Sequence, residues 1–170
     1  VFSIVIFWFL RKNARRARRE RLFKTPLDSS RITILQENVT LYAKLPQNLR
    51  EELHGHINIF LDEKEFIGKA GIEITDEIHI VVAGNACLLL LQGMGRRFTG
   101  FTSILIYPNT YTAHQVQHDG FIQTEQPSRR AGESWMKGPI VLSWADAYRG
   151  SINAEDGHNV VIHEFAHKLD

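Results

Sequence analysis

The sequence predicts an α+β fold, with a helix-rich N-terminal half, a small mixed sheet after it, and a further helix at the C-terminal end. Three observations predict it. Apolar residues recur every three to four positions through much of residues 30–92. Two short runs rich in Ile, Leu and Val, at 102–107 and 140–143, are bounded by Gly and Pro. Helical spacing then returns, with Val160, Val161, Phe165 and Leu169 free of any proline from Asn159 onward. Helices grouped before strands favour α+β over an alternating α/β arrangement.

Taken in order, Ser29 or Ser30 can cap a helix running to about Lys44, with Ile32, Leu35, Val39 and Tyr42 inward. Pro46 opens a second helix, whose Leu49, Leu53, Ile57, Phe60 and Leu61 form its apolar stripe. Residues 65–74 contain Gly68 and Gly71 and read as a short strand or extended turn. Thr75 and Asp76 cap a third helix over about 77–92, which is apolar on nearly every side. Glu77, His79 and Asn85 interrupt it, so it reads as a central buried helix and not a membrane span. Pro108 ends the 102–107 strand, and residues 109–137 are polar and loop-like. Residues 144–149 read as a helical turn, and the last helix begins near His158 with Asp156 as a candidate cap.

The chain has 170 residues, 44% hydrophobic and 23% charged, which is ordinary for one globular domain. Cys87, the single cysteine, lies in an apolar run. An internal disulfide and a Cys-based zinc site are thereby excluded, and the thiol reads as buried and inert. The formal charge of +1 hides an asymmetry. Residues 11–24 hold eight Lys and Arg with one acid, Glu20, and the rest of the chain holds 12 basic against 18 acidic side chains. The body therefore lacks the basic surplus that a specific nucleic-acid surface needs.

The organisation read from this is an apolar segment over 1–10, a basic juxtamembrane linker over 11–29 and one folded domain over 30–170. Ten helical residues span about 15 Å, half of the hydrocarbon core, so the segment alone cannot cross a bilayer. Apolar residues followed abruptly by Arg11 and Lys12, with Trp8 near the junction, resemble the cytoplasmic flank of a transmembrane anchor. The expectation is the end of a truncated anchor that tethers a cytoplasmic domain to the inner membrane. The alternatives are a surface helix held by anionic lipid, or a soluble cytoplasmic protein whose basic arm binds nucleic acid loosely.

The most informative feature is His163-Glu164-Phe165-Ala166-His167, an H-E-x-x-H motif. Helix residues four apart share a face, so two imidazoles can converge on one Zn²⁺ per chain. Glu164 follows the first histidine and can act as general base towards an activated water. A catalytic zinc usually takes three protein ligands, and here two are read with confidence. The adjacent metzincin pattern would need Gly where Asp170 stands. The third ligand is therefore expected beyond residue 170, with Asp170, His118 and Glu155 as in-chain alternatives. His114 and His118 also lie four apart but have neither the Glu nor an apolar face, and read as loop residues. The strand Ile140, Val141, Leu142, Ser143 is a candidate substrate-binding edge, where an extended peptide could add to the sheet, or else a core strand.

Several segments together resemble the Mlc titration factor A family of bacterial zinc-dependent peptidases: 41–46 (LYAKLP), 60–66 (FLDEKEF), 86–90 (ACLLL), 106–108 (IYP), 138–144 (GPIVLSW) and 156–170 (DGHNVVIHEFAHKLD). The resemblance runs from about residue 30 to the end. It implies a gluzincin-like, zincin-type site in which His163 and His167 are metal ligands, Glu164 is the base and a downstream glutamate is the third ligand. It also implies peptidase or aminopeptidase activity on short peptides, and a sugar-responsive transcriptional repressor as a partner. Two rivals remain at this stage: a zinc-containing protein that mainly sequesters such a regulator, and a membrane-associated domain whose motif is accidental.

Overall fold

The computed structural model of the chain describes residues 2–93, 97–109, 138–155 and 157–169. Helices α1 (Phe2–Lys24), α2 (Ser29–Asn38), α3 (Thr40–Ala43) and α4 (Gln47–Glu63) come first. Strand β1 (Glu65–Gly68), helix α5 (Asp76–Cys87) with a 3-10 turn (Leu88–Leu90), and strand β2 (Ser103–Tyr107) follow. Strand β3 (Ile140–Ser143), helix α6 (Trp144–Ile152) and helix α7 (Val160–Ala166) complete the order. The fold is α+β, as the pattern of the sequence implied.

The strands lie in the order β1-β2-β3 and pair in parallel, with Glu65 opposite Ser103 and Ile104 opposite Ile140. Parallel neighbours need a crossover, and α5 supplies it between β1 and β2. The antiparallel member of a mixed sheet is absent among the described residues, except for an isolated bridge between Phe98 and Leu169.

Helix α5 is the centre of the molecule. Nine of its residues, Ile78 and Ile80 to Cys87, are buried, and it packs against α2, α4, α6 and α7. Thr75 caps it by accepting from the Ile78 N–H at 3.3 Å. Burial pushes the Cys87 thiol far above its ordinary pKa, in keeping with an inert core residue. The first predicted helix is broken in two: Val39, fully buried at φ −124°, leaves the helical region between α2 and α3. Its side chain is drawn into the core against α5, where a Cβ on Gly84 would come within 3.4 Å of it.

The N-terminal region differs from the linker expected over 11–29. Residues 2–24 form one helix, uninterrupted by Gly or Pro, and its C-terminal half docks on α4. Arg18 pairs with Asp62, and the Arg19 guanidinium bonds both carboxylate oxygens of Glu63. This bond holds the Glu63 carboxyl below its usual pKa. Asn58 donates to the Leu22 and Thr25 carbonyls at 3.2 and 2.8 Å, tying the end of α1 to α4. Gly55 makes the close approach possible, because a Cβ there would lie 2.6 Å from the Phe23 ring and its carbonyl oxygen. The other end of α1 is unlike this one: Ile6, Phe7, Trp8, Phe9 and Leu10 are each 55–63% exposed. Among the described residues no helix is long and apolar enough to cross a membrane.

Candidate metal centre

Seven residues are too few for an autonomous helix, so α7 depends on its surroundings. Its inward residues Val161 and Phe165 are fully buried. Phe165 sits among Phe60, Phe98 and Phe101, with ring centroids 5.5, 5.1 and 5.8 Å away. Burying one such side chain is worth about 1.5–3 kcal/mol. Beyond the helix, the Phe98–Leu169 bridge and a 3.4 Å contact from Lys168 Nζ to the Gly138 carbonyl hold the outgoing chain.

The start of α7 is fixed by a polar network within the core. Asn159 is the N-cap, its Oδ1 accepting from the Ile162 N–H at 3.1 Å. Its Nδ2 donates to Asn85 Oδ1 at 2.8 Å and to the Gly150 carbonyl at 3.1 Å. Asn85, fully buried in α5, donates in turn to the Val81 carbonyl and to Ser151 Oγ, both at 2.8 Å. Ser151 donates to the Asn38 carbonyl, and Tyr148 donates to Asn38 Oδ1 at 3.1 Å. Among the described residues no buried side-chain nitrogen or oxygen is left without a partner. Gly150 permits close packing where α6 meets this turn, since a Cβ would lie 2.6 Å from the His158 carbonyl oxygen.

Phe165 faces inward, and the residues two positions to either side of it, His163 and His167, are exposed. Their rings meet edge to face at 87° with centroids 4.8 Å apart. The two Nε2 atoms are 3.4 Å apart. A tetrahedral zinc with Zn–N of about 2.0–2.1 Å requires its two nitrogens about 3.3–3.4 Å apart. The observed spacing thus fits a shared cation, and the exposed rings leave room for further ligands. His167 lies one residue past α7 but keeps helical angles (φ −68°, ψ −13°), so the four-residue relation persists. Glu164 is half-buried next to His163, and Lys168 stands one turn further on. Burial pushes the Lys168 ammonium pKa down, and the Glu164 charge opposes that shift.

Among the described residues no group of three or more His, Cys, Asp or Glu is placed to hold a metal. Glu155 is exposed, its amide bonded to Asn153 Oδ1 at 3.2 Å. Asp170, His114 and His118 lie outside the described residues. In β3, Ile140, Leu142 and Ser143 are buried and Val141 half-buried, and α7 packs beside the strand. Ser143 Oγ accepts from the Asp146 N–H at 3.2 Å and so caps α6. Sequence reasoning passed over Asn159 and Asn85. A signal for each was present: a good capping residue three positions before Ile162, and one amide inside an otherwise apolar helix.

Comparison with known proteins finds relatives over most of the chain. The chain is 37% identical over 155 residues to the protein slr2042 of Synechocystis sp., covering 90% of this chain and 56% of that one. It is 35% identical over 135 residues to Mlc titration factor A of Yersinia pestis and of Yersinia pseudotuberculosis, covering 78% of this chain and 49% of theirs. The chain thus spans about half the length of the curated relatives it matches. The family described as glucose-regulated metallo-peptidase M90 matches residues 12–170, which takes in the second half of α1 as well as the motif helix. Agreement over that length makes this chain a member of the M90 metallopeptidase family and a relative of the Mlc titration factor A proteins.

Proposed function

We propose that the chain carries the two-histidine part of a zinc peptidase centre, with His163 and His167 as ligands and Glu164 as general base. The observation that carries this reading is the 3.4 Å separation of the two Nε2 atoms on one exposed helix face. Bound zinc supplies Lewis acidity, which lowers the pKa of water and polarises a peptide carbonyl. Glu164 takes a proton from the attacking water and returns it to the departing amine. Asn159 and Phe165 fix the two ends of the short helix, so that the imidazoles and the carboxylate keep their spacing. The remaining protein ligand is an acidic or histidine side chain outside the described residues. Strand β3 beside α7 is the proposed place for an extended peptide substrate, with Ile140 to Ser143 setting its direction. In the full-length protein, Glu164→Gln is expected to keep zinc and lose peptide hydrolysis by at least a hundredfold. Undiminished turnover in that variant would remove Glu164 from the role.

A second reading makes hydrolysis incidental to binding a transcriptional repressor. It is supported by the name of the Yersinia relatives, which refers to titration of Mlc. Repressor-dependent transcription in cells carrying Glu164→Gln separates the two: binding in a pull-down survives the substitution on either reading, whereas relief of repression survives only on the second.

The N-terminal half of α1 is further proposed as a membrane attachment at the cytoplasmic side of the inner membrane. Exposed Ile6 to Leu10 followed by basic Arg11, Lys12, Arg15 and Arg16 suit an apolar tip under anionic headgroups. Flotation with anionic vesicles, but not with neutral ones, is the expected result; flotation with neither contradicts it.

A further inference from the structure

Between the C-terminal half of α1, α4 and the residues after the 3-10 turn lies a cavity of about 190 Å³. Its floor is apolar, made chiefly by Phe60, Leu90 and Phe98, all buried. Its rim is cationic, with Arg19, Lys64 and Arg97. Glu63 is the one carboxylate of the lining, and the Arg19 guanidinium engages both its oxygens.

That leaves two cations without a carboxylate. The half-buried Lys64 ammonium donates to the Phe98 and Phe101 carbonyls at 3.0 and 2.7 Å and lies 3.9 Å from the centre of the Phe101 ring. An ammonium has three donors, so one is unspent among the described residues. Arg97 is exposed and has no hydrogen-bond or ion-pair partner among them. Taking a cation partly out of water costs free energy that a carbonyl pair and a ring offset only in part, and an anion completes the compensation.

The cavity is separate from the candidate metal centre. Phe60 and Phe98 also pack on Phe165, which lies about 200° around the helix from His163. The cavity therefore lies behind the motif helix and not on its histidine face.

We propose that this cavity binds a small carboxylate with a compact apolar body, the carboxylate meeting Arg97 and Lys64 and the body lying on Phe60, Leu90 and Phe98. The site goes beyond the peptidase reading and does not depend on it.

The test is calorimetric titration of the full-length protein with 4-phenylbutyrate and with its neutral amide, both in chelator so that the metal centre cannot take up the acid. Saturable binding of the acid is expected, with the amide at least roughly tenfold weaker, as loss of a charge-assisted contact requires. Arg97→Ala should weaken the acid by a similar factor, and Arg97→Glu should weaken it further. Both change an exposed side chain, and unaltered melting temperatures would show that the fold is intact. Acid and amide of equal affinity, no binding of the acid in the millimolar range, or wild-type affinity in both Arg97 variants would each overturn the proposal.

Discussion

Asn159 Nδ2 lies 2.8 Å from Asn85 Oδ1, so the residue that caps the motif helix is anchored to the most deeply buried helix of the fold. Both amides are fully used, and each supports the other. Asn85→Leu keeps the volume but strands the partner groups on Ser151 and Asn159. A loss of about 2–3 kcal/mol is expected, because a buried unsatisfied group costs more than a hydrogen bond returns. Asn159→Ala, losing the cap, should cost about 1–2 kcal/mol. The double variant should lose less than the sum, since the two residues share one bond. Urea unfolding of all three checks this, and strict additivity would show that the amides act separately.

Gly150→Ala addresses the same turn from α6. The added methyl would stand 2.6 Å from the His158 carbonyl oxygen and 3.0 Å from Asn159 Cα, both of them backbone. Backbone yields less readily than a side-chain tip, so a loss of about 1–3 kcal/mol is expected. Hydrogen exchange should speed up first at the amides of α7.

Docking of α1 rests on shape more than on charge. Arg18 is 60% exposed at its pair with Asp62, so Asp62→Asn should cost no more than about 1 kcal/mol. Gly55→Ala places a methyl 2.6 Å from the Phe23 carbonyl and ring. That variant should release α1, read as faster tryptic cleavage among Arg15 to Arg21, with Asp62→Asn little changed. The reverse order would show that the ion pairs hold the helix.

Acid should destabilise the fold below about pH 6.5. Burial is the main cause that lowers the pKa of His54, His56 and His79, with nearby Glu51, Glu52 and Asp76 opposing it respectively. The unfolded chain then takes up protons at the ordinary imidazole value while the folded chain resists, so stability falls as pH drops from about 6.5 through the folded values. The lowered Glu63 carboxyl acts in the same direction only at more acidic pH. Urea midpoints measured from about pH 7.5 down to about pH 5 should decline, and His79→Gln should flatten part of the slope. A midpoint that rises on acidification would contradict the assignment.

Much of this was legible in the residues because the signals are local. Strand β3 begins and ends where the Gly138-Pro139 break and the following Trp144 placed it, and Thr75 caps α5 as its hydroxyl allowed. What escaped depends on partners distant in sequence. Eight cations in 11–24 read as a basic juxtamembrane linker because what seats this segment as a docked helix, Gly55 against Phe23 with Asp62 and Glu63 beside Arg18 and Arg19, is distant in sequence. Val39 fits a helical stripe, yet its burial beside Gly84 of α5 breaks the helix there. Asn85 looked like an interruption of an apolar helix, and its use became visible only when Ser151 and Asn159 were brought beside it. At the site, the periodicity of α7 placed the two imidazoles on one face, whereas no local pattern points to a third ligand.

Zinc content of the full-length protein, purified without chelator, tests the central claim most directly. One zinc per chain is expected in the wild type, retained in Glu164→Gln and lost in both His163→Ala and His167→Ala. A wild-type protein free of zinc and unable to take it up, or histidine variants that hold it undiminished, would contradict the account.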